Sequence, residues 1–593
     1  MCGIVGCILN ARNTVDVAMS MLCRVEYRGY DSAGVATLGE DGIILQKKAG
    51  AIAKLNEVLN KNILGNVSIA HTRWATHGKA TDNNAHPFVS NSGQWALVHN
   101  GIIENYLGLK TKYLPEKCTL NSETDTEIVV QMLDYVKGKN NIEKLKNVCD
   151  KLKGSYAFAC VNVNAPNTIF LAKNKSPLYI MNATDGCFIA SDPICFAGKS
   201  GKVYSLENYE YAVVSDNDIL FFDNNMQVIV KNETNIKIVS NEKELNNCPH
   251  YMLKEIEEEG KVLDNILSTY TEGNVLRQFG SSMFSRFKEI VFIGCGTAYH
   301  AGLYGADIFR LNNHIRTSCY MASEYRYCSP IVDDKTLVVL VSQSGETADT
   351  IAVCDMVHDM GATTIALTNV LYSTLAKKVD YILPVCAGSE IAVASTKAYI
   401  AQLSVLYIWS MSLLGDAELK NALADIANLT KDFDNYKYNE LKSIAKKVSK
   451  INCCYFLGRG MDYITALEGS LKLKEVTYIN CQAYPAGELK HGHLALIDDT
   501  SYLFAIATDD STLDKTLNGA YEAKARGGKI IVLTNKEIKT KEFYRVIKLC
   551  DYNKYLMPIV VSKWIQMLAY VVSITKGYNP DKPRNLAKSV TVE

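Results

Sequence analysis

The second half of the chain contains an internal repeat, and this repeat limits the folds that the chain can adopt. FIGCGTAYHAGLYG (292–305) aligns with FLGRGMDYITALEG (456–469), and TIALTN (364–369) aligns with IIVLTN (530–535), at offsets of 164 and 166 residues. Each copy reads as hydrophobic strand, glycine turn and helix, the pattern of parallel α/β folds. We therefore predict two similar subdomains with parallel sheets, at 286–430 and 445–580.

The first part of the chain has a different pattern. Five short strand-like segments occur before residue 236: IVGCIL, SIAHTRW, QWALVHNG, YAFACVNV and TIFLA. Their alternation predicts an α+β domain rich in antiparallel sheet over residues 1–235. The charged helical stretch HYMLKEIEEEGKVLDNIL then indicates a linker with a docking helix over 236–285.

Composition excludes several classes of protein. Lys plus Arg and Asp plus Glu number 63 each, which argues against a nucleic-acid partner held by bulk charge. We find no apolar run of about 18 residues and no basic segment before the first apolar stretch, so neither a membrane span nor a signal peptide is expected. Eighteen cysteines without a C-x-x-C pair predict free thiols in a reducing cytoplasm and no structural zinc.

Cys2 directly follows the initiator methionine. Methionine is normally removed before a residue as small as cysteine, which leaves a thiol and a free α-amino group on one residue. Such an amine can act as the base for the thiol nucleophile. The alternative is a buried N-terminal strand in which Cys2 is a small hydrophobic residue. The first ten residues alone favour that simpler interpretation.

The strand VVLV in the first repeat is followed by a turn and a helix start rich in polar side chains: Ser342, Gln343, Ser344 and Thr347. Backbone N–H groups and the helix dipole make such a turn an anion site, and the hydroxyls add donors. The alternative is helix capping. At the matching place in the second copy, Asp509 and Asp510 would repel a phosphate. We predict that one copy kept a phosphate site and that the other lost it.

The segment 466–498 holds the densest set of reactive side chains. Glu468, Lys472 and Glu475 lie on one face of a predicted helix, and His491 follows on a glycine-bounded loop. A surface ion-pair ladder is the alternative, although flanking leucines favour partial burial. A carboxylate, an ammonium and an imidazole near a phosphate suit aldose–ketose isomerisation, in which a proton moves between C1 and C2. His491 and His493 lack an adjacent third ligand, so we expect no metal.

Two further segments carry polar groups. VASTKA (393–398) places hydroxyls on a loop, and the chain ends in PRNLAKSVTVE. Terminal residues are often disordered, but the apolar residues of this tail could dock. Lys588 could then form an imine with a ketose carbonyl.

Ten of these motifs, in order over nearly the whole chain, resemble one enzyme family. The N-terminal motifs are MCGIVG, EYRGYDSAG, HTRWATHG, HNGIIEN and SETDTE; the C-terminal motifs are SQSGETADT, VASTKA, LEGSLKLKE, AGELKHG and PRNLAKSVTVE. They resemble the glutaminase and isomerase halves of the glutamine–fructose-6-phosphate aminotransferases, also called glucosamine-6-phosphate synthases. The resemblance implies an N-terminal-nucleophile glutaminase domain with an αββα sandwich, two α/β sugar-isomerase subdomains and a catalytic tail at 581–593. It also implies a cytoplasmic homodimer joined through the isomerase domains, without a cofactor.

The resemblance implies that glutamine and fructose 6-phosphate become glutamate and glucosamine 6-phosphate, the first step towards UDP-N-acetylglucosamine. Cys2 would attack the glutamine amide and release ammonia, and Asn100 and Gly101 would form the oxyanion hole. Arg73 would hold the substrate carboxylate and Asp125 its ammonium group. Trp74 would be the gate of an internal ammonia channel. Three further residues would shape the glutamine pocket: Arg28, Thr76 and His77.

In the isomerase half, the resemblance implies that the Ser342, Gln343, Ser344 and Thr347 loop holds the sugar phosphate. Thr297 and Ser395 would contact the phosphate or the sugar. Glu475 would be the isomerisation base beside Lys472. His491 would open the sugar ring, in a neighbouring subunit's site, and Lys588 would be the Schiff-base lysine. Two positions depart from the family pattern: Ala298 replaces a hydroxyl, and His493 replaces a proline.

Two alternatives remain at this point. Another glutamine amidotransferase, of the phosphoribosyl-transferring or asparagine-forming type, would share the first half, but the SQSGET loop and the repeat oppose it. A sugar-phosphate-binding regulator without activity is opposed by the intact Cys2, Glu475, His491 and Lys588. With the motifs that follow it, Cys2 is better interpreted as the nucleophile than as a strand residue.

Overall fold

The chain forms two compact units in a computed structural model that describes residues 2–10, 13–216, 218–234, 245, 247–272, 275–434 and 441–591. The first unit is Met1–Lys243 together with Ala587–Glu593, and the second is Glu244–Leu586. The first part of the predicted linker, at 236–244 and 246, lies outside the described residues.

The first unit contains two seven-stranded antiparallel sheets. Its strands are β1 (Gly3–Leu9), β2 (Ser32–Gly39), β3 (Gly42–Ala49), β4 (Val67–Arg73), β5 (Phe88–Val89), β6 (Trp95–Ile103), β7 (Gly154–Asn162), β8 (Ala165–Asn174), β9 (Tyr179–Ala183), β10 (Gly186–Ala190), β11 (Gly201–Ser205), β12 (Glu210–Ser215), β13 (Ile219–Phe222) and β14 (Val228–Ile229). Its helices are α1 (Thr14–Cys23), α2 (Ile52–Val58), α3 (Tyr106–Tyr113), α4 (Asp125–Tyr135) and α5 (Asn141–Cys149). The strand orders are β11-β9-β10-β1-β4-β2-β3 and β14-β13-β12-β8-β7-β6-β5.

These elements form four layers. Apolar residues between the two sheets, such as Ile4 of β1 and Val98 of β6, form the central core. On the outer face of the first sheet, α1 buries Leu22, and on the outer face of the second sheet α4 buries Leu133. Because β1 has both faces covered, all seven of its residues are buried, which explains its unbroken apolar sequence. The predicted αββα sandwich is confirmed.

The second unit contains two five-stranded parallel sheets. Its strands are β15 (Glu289–Gly294), β16 (Arg316–Met321), β17 (Thr336–Ser342), β18 (Thr363–Thr368), β19 (Tyr381–Pro384), β20 (Cys453–Gly458), β21 (Asn480–Pro485), β22 (Tyr502–Ile506), β23 (Lys529–Thr534) and β24 (Arg545–Lys548). Its helices are α6 (Tyr251–Glu257), α7 (Glu259–Glu272), α8 (Ser281–Phe284), α9 (Thr297–Asn313), α10 (Ala322–Tyr325), α11 (Ala348–Asp359), α12 (Thr374–Lys378), α13 (Lys397–Ser412), α14 (Asp416–Asp434), α15 (Leu441–Val448), α16 (Met461–Thr477), α17 (Leu513–Lys524) and α18 (Met557–Thr575). The strand orders are β16-β15-β17-β18-β19 and β21-β20-β22-β23-β24.

The two sheets are copies of one arrangement, as the repeat predicts. β15 and β20 each lead into a helix of 17 residues, α9 and α16. The glycines before these helices, Gly296 and Gly460, have nearly the same backbone angles, φ 55° and ψ −126° against φ 56° and ψ −127°. Positive φ favours glycine, so both copies need this residue at the turn.

The charged stretch within the predicted linker and docking segment (236–285) forms two helices, α6 and α7. They bury Met252, Ile256 and Leu263 in the large core of the second unit. The carboxylate of Asp581, near the end of the chain, accepts hydrogen bonds from the backbone N–H groups of Tyr251 and Met252 at 2.8 Å each. The start of α6 is thus held by a residue of the predicted tail.

One helix qualifies the expectation about membrane spans. α18 is long and apolar enough to cross a membrane by length and composition, although it contains Lys563 and Gln566. Its most apolar window is 89% buried inside the protein. Core helices pass the same test, and α18 packs as one, with Trp564 and Leu568 in the large core.

Candidate functional site

Cys2 lies at the edge of a small cavity in the first unit. β1 starts directly after Cys2 and pairs with β4, so that Gly3 lies opposite Thr72. This register brings the Cys2 thiol to the end of β4, where the Trp74 backbone N–H donates to the Cys2 sulfur at 3.2 Å. The residues that line the cavity are Cys2, Arg73, Trp74, Thr76, His86, His99, Gly101, Thr124, Asp125 and Thr126. Six of them belong to the set that the sequence predicts.

Local structure fixes two of these residues. Asp125 is the first residue of α4, and the Thr124 side chain caps this helix by accepting from the Glu127 backbone N–H at 3.3 Å. The Asp125 carboxylate accepts from the Ile103 backbone N–H at 2.8 Å. Gly101 has φ +134°, and a Cβ there would lie 2.1 Å from the Ser155 carbonyl oxygen, so only glycine fits.

Asn100 borders Cys2 from β6. Its side-chain Nδ2 donates to the Cys2 carbonyl oxygen at 3.0 Å. Burial raises the pKa of the Cys2 thiol, and the Trp74 backbone N–H and the Arg73 guanidinium oppose that rise. A thiol in this setting needs a base to become a nucleophile.

Both predicted arginines of the glutamine site bond to other groups of the protein, and two predicted residues do not line the cavity. Arg73 donates to the carbonyl oxygens of His77 and, at 3.4 Å, of Lys79, so its guanidinium holds the following loop. Arg28 forms a 2.5 Å ion pair with Asp192. Neither Arg28 nor His77 is among the described residues that line the cavity.

The predicted gate, Trp74, packs against residues of the motif EYRGYDSAG, a contact that the sequence does not reveal. Tyr30 meets the Trp74 ring edge to face at a centroid distance of 5.8 Å. The Asp31 carboxylate accepts from the Ala75 backbone N–H at 2.8 Å. The motif EYRGYDSAG contains Tyr30 and Asp31 and was the available signal for this contact.

Three buried histidines beside the cavity are absent from the predicted set. His71, His86 and His99 lie on or beside β4 and β6. Burial lowers the pKa of all three rings, that of His71 to about 3, so all are neutral. The sequence did offer a signal for His71, because a histidine is unusual inside a segment that reads as a buried strand, SIAHTR.

In the second unit, the strand order has a switch point between β15 and β17. β16 lies on one side of β15 and β17 on the other, so the order in which strands are added to the parallel sheet reverses there. Open α/β sheets bind ligands at such a switch point, beyond the carboxyl ends of the strands. Thr297 follows β15 and Ser342 ends β17, so both predicted phosphate-site residues lie at this place.

The hydroxyl-rich loop after β17 is folded by its own polar groups. The Ser342 hydroxyl accepts from the Gly345 backbone N–H at 3.1 Å and lies 3.2 Å from the Thr347 hydroxyl. Thr347 precedes α11, but within the described residues its side chain makes no capping bond. Gln343, Ser344 and Thr347 are partly exposed. Capping of α11 therefore does not account for the Thr347 hydroxyl.

The acid–base residues of α16 are buried, not on a surface ladder. Glu468 and Lys472 are each 1% exposed. The Lys472 ammonium lies 2.7 Å from Glu475 and 3.5 Å from Glu468, and it donates to the Thr297 hydroxyl at 3.0 Å. Thr297 in turn donates to Glu468 at 3.1 Å. One connected cluster thus spans both repeats.

His300 of α9 belongs to this cluster and was not predicted. Its Nδ1 lies 2.7 Å from the Glu468 carboxylate.

The charge of Lys472 is set by its neighbours. Burial lowers the pKa of Lys472, but Glu475 and Glu468 outweigh this effect and raise the pKa to about 12. Lys472 is therefore a fixed cation.

In the second repeat, a carboxylate of the chain itself accepts hydrogen bonds from the loop after β22. Asp462, on the first turn of α16, accepts from the Thr508 hydroxyl at 2.5 Å and from the backbone N–H groups of Thr508 and Asp509 at 2.8 and 3.4 Å. Thr508 follows β22 as the hydroxyl loop follows β17. The residue that aligns with Asp462 in the first repeat is Ala298, which leaves that loop open.

The other predicted isomerase residues are described by their own contacts and domain. Ser395 donates to Glu390 at 3.0 Å. His491 is exposed on the loop after β21, next to His493, whose ring stacks on Tyr484 at 3.8 Å. Lys588 belongs to the first unit, so its predicted role remains a prediction. Within the described ranges, no group of His, Cys, Asp and Glu has the arrangement of a metal site.

Comparisons with known proteins agree with this organisation. A glutamine amidotransferase domain model matches residues 71–197, and the SIS domain model matches twice, at 283–410 and 447–575. The fold and the two sites thus define a glutamine amidotransferase with a duplicated sugar-isomerase region.

Similarity over the whole length defines the family more closely. The chain is 38% identical to the glutamine–fructose-6-phosphate aminotransferases (isomerizing) of Caldanaerobacter subterraneus subsp. tengcongensis and Bacillus subtilis, over 100% of both chains in each case. The C-terminal domain of glucosamine-fructose-6-phosphate aminotransferase from Francisella tularensis is 36% identical with a TM-score of 0.52, covering 57% of this chain and 99% of that one. The chain belongs to the family of glutamine–fructose-6-phosphate aminotransferases (isomerizing).

Proposed function

We propose that this enzyme converts fructose 6-phosphate and glutamine to glucosamine 6-phosphate and glutamate, the first step of amino-sugar synthesis towards UDP-N-acetylglucosamine. The observation that carries the proposal is the buried cluster of Thr297, Glu468, Lys472 and Glu475 at the switch point. It places acid–base groups beside a hydroxyl-rich loop in a chain that also holds the Cys2 cavity.

Glutamine hydrolysis takes place at Cys2. Its thiolate attacks the side-chain amide, forms a γ-glutamyl thioester and releases ammonia, and water then releases glutamate. Asn100 and the Gly101 backbone N–H stabilise the oxyanion. Arg73 holds the substrate carboxylate and Asp125 its ammonium group, which suits their positions in one cavity. Arg28, Thr76 and His77 shape the pocket. Trp74 gates the passage of ammonia.

Isomerisation takes place in the second unit. The loop of Ser342, Gln343, Ser344 and Thr347 holds the phosphate, and Thr297 and Ser395 contact the phosphate or the sugar. The Lys472 ammonium pairs with Glu475 at 2.7 Å, and this carboxylate moves the proton between C1 and C2. Burial of Lys472 strengthens the ion pair because the ammonium is shielded from water.

Two residues act on the carbonyl group. His491 opens the sugar ring in the site of a neighbouring subunit, which agrees with its exposure on a loop. The Lys588 amine condenses with the C2 carbonyl and releases water, and ammonia then displaces the lysine from the imine.

The organisation of the enzyme follows from this scheme. We place the glutaminase domain at 1–235, a linker and docking helix at 236–285, isomerase subdomains at 286–430 and 445–580, and a catalytic tail at 581–593. The enzyme acts in the cytoplasm as a homodimer joined through its isomerase domains, without a nucleic-acid or membrane partner. All 18 cysteines are free thiols, which suits a reducing compartment.

A single assay tests the proposal. Purified enzyme with glutamine and fructose 6-phosphate should form glucosamine 6-phosphate and glutamate in equal amounts. Cys2→Ala should stop glutamine hydrolysis, whereas Lys588→Met should keep basal glutamine hydrolysis and stop amino-sugar formation. Absence of glucosamine 6-phosphate in the wild-type reaction would contradict the proposal.

A further inference from the structure

Two hydrogen-bonded contacts connect the buried His71 to Cys2 through Asn100. The His71 Nε2 atom lies 2.9 Å from the His99 carbonyl oxygen and 3.0 Å from Asn100 Oδ1. The other end of the same amide, Asn100 Nδ2, lies 3.0 Å from the Cys2 carbonyl oxygen. His71 itself is fully buried in β4 and does not line the cavity.

The surroundings of His71 determine which ring nitrogen carries the proton. The His99 carbonyl oxygen beside Nε2 can only accept a hydrogen bond, so Nε2 carries the hydrogen. Burial lowers the pKa of His71 to about 3, so the ring is neutral and Nδ1 has no proton. Nδ1 is buried without a hydrogen-bond partner in the described part of the chain, and the ring stacks on His86 at a centroid distance of 4.2 Å.

This tautomer settles the direction of the Asn100 amide. An amide group has an oxygen that accepts and a nitrogen that donates. Because His71 Nε2–H is a donor, Asn100 turns its oxygen towards His71 and its NH₂ group towards Cys2. In the reversed orientation, two donors would face each other, and the amide oxygen would face the negative charge that develops during thioester formation.

We infer that His71 is a positioning residue for glutamine hydrolysis, which holds the Asn100 amide with its donor directed at the oxyanion. The inference rests on the proposed oxyanion role of Asn100. His71 touches neither the substrate nor the thiol, and it acts through Asn100 alone. An unpartnered buried Nδ1 is unfavourable for folding, and its presence beside the reaction centre fits a residue kept for orientation.

Three replacements of His71 separate positioning from packing. Glutamine carries an amide N–H at about the position of Nε2, asparagine ends at about the position of Nδ1, and leucine has no donor. We expect His71→Leu and His71→Asn to lower kcat for glutamine hydrolysis roughly 100-fold, the effect of losing one oxyanion donor. KM should change little. His71→Gln should recover most of the lost rate.

A double variant gives the decisive comparison. If His71 acts through Asn100, His71→Leu combined with Asn100→Ala should hydrolyse glutamine as slowly as Asn100→Ala alone. Losses that multiply, or a normal rate in His71→Leu, would overturn the inference. A normal rate in Asn100→Ala would instead refute the oxyanion role, and the inference with it.

Folding of the first unit is monitored by circular dichroism and urea unfolding, which should be unchanged in His71→Gln and His71→Asn. Isomerisation of fructose 6-phosphate in the absence of glutamine should also be unchanged in every His71 variant, because its acid–base residues lie on α16 of the second unit. If His71→Leu does not fold, the Gln and Asn variants still decide, since they differ by one methylene. Equal rates in those two variants would overturn the inference.

Discussion

The two isomerase repeats have nearly the same backbone at the start of their first helices, but they carry different functional side chains. α9 and α16 have equal length and start from glycines of the same conformation. The acid–base residues of α16 are Glu468, Lys472 and Glu475, and the aligned residues of α9 are Tyr304, Ile308 and Leu311. This carboxylate–ammonium–carboxylate trio is therefore confined to the second copy.

The loops at the switch points also differ, and here the polar groups that remain available are in the first copy. In the first copy the loop after β17 has partly exposed hydroxyls and Ala298 stands at the aligned position, whereas in the second copy Asp462 bonds to the donors of the loop. The first repeat thus has the hydroxyl-rich loop for which we propose phosphate binding, here called the anion loop, and the second repeat has the acid–base helix. Each copy of a duplicated fold can specialise because its partner supplies the missing function.

The largest effect is expected from removing the acid–base function of the second copy. Glu475→Gln keeps the shape of the side chain but removes the base, so formation of glucosamine 6-phosphate should fall about 1,000-fold. Glutamine hydrolysis should persist. Lys474→Met, an exposed neighbour on the same helix, is the matched control and should be near normal. A Glu475→Gln enzyme with more than a tenth of the normal rate would refute the base assignment.

The next effect concerns the anion loop of the first copy. Ser344→Ala combined with Thr347→Ala should raise KM for fructose 6-phosphate roughly 100-fold, because each lost hydrogen bond to a charged group costs about 1.5 kcal/mol or more. Thr512 precedes α17 as Thr347 precedes α11, so Thr512→Ala is the control in the second copy. Equal KM values for the double variant and the wild type would assign the hydroxyls to local folding.

Asp462 should make stability depend on pH. Burial raises its pKa from 3.8 to about 6, so the folded state binds the proton more tightly than the unfolded state. Its contribution is complete below pH 4 and is lost as pH rises through 6, a change of about 3 kcal/mol. Asp462→Asn should remove this loss without altering KM for fructose 6-phosphate.

Urea unfolding of the wild type and Asp462→Asn between pH 4.5 and 7.5 measures this difference. Asp510→Asn serves as the control, because the Asp510 side chain is 76% exposed. A pH-independent difference between the wild type and Asp462→Asn would show that the carboxylate is not the titrating group.

The smallest effect is expected in the loop after β21. His493→Ala removes the ring stacked on Tyr484, an interaction worth about 0.5–1.5 kcal/mol, and should loosen the loop that carries His491. We expect kcat to fall a few-fold, and His493→Pro to keep it. The control is Tyr327→Ala in the corresponding loop of the first copy, where Tyr327 is 76% exposed. An unchanged kcat in His493→Ala would separate the stack from catalysis.

The sequence predicted features that depend on local pattern. Strand alternation predicted the antiparallel sheet of the first unit and the repeat predicted the two parallel sheets, because periodicity reports which faces are buried. The arrangement of the first unit as a sandwich was implied by the family resemblance. Whether Glu468 and Lys472 form an exposed ladder was not decided by spacing, since burial depends on α9, more than 150 residues earlier in the chain. The pairs Arg28–Asp192 and His300–Glu468 were missed for the same reason: they join residues that only the tertiary fold brings together.

The Asp462 contact also determines how many sugar phosphates one chain can hold. A carboxylate attached to the first turn of α16 competes for the Thr508 and Asp509 donors at an effective concentration set by covalent attachment, which a dissolved metabolite does not match. Saturation with sugar phosphate should therefore end at one molecule per chain, despite two loops of common origin. Because Asp462 is part of the chain, only one of the two related loops is open to a sugar phosphate. This limit needs no communication between the loops.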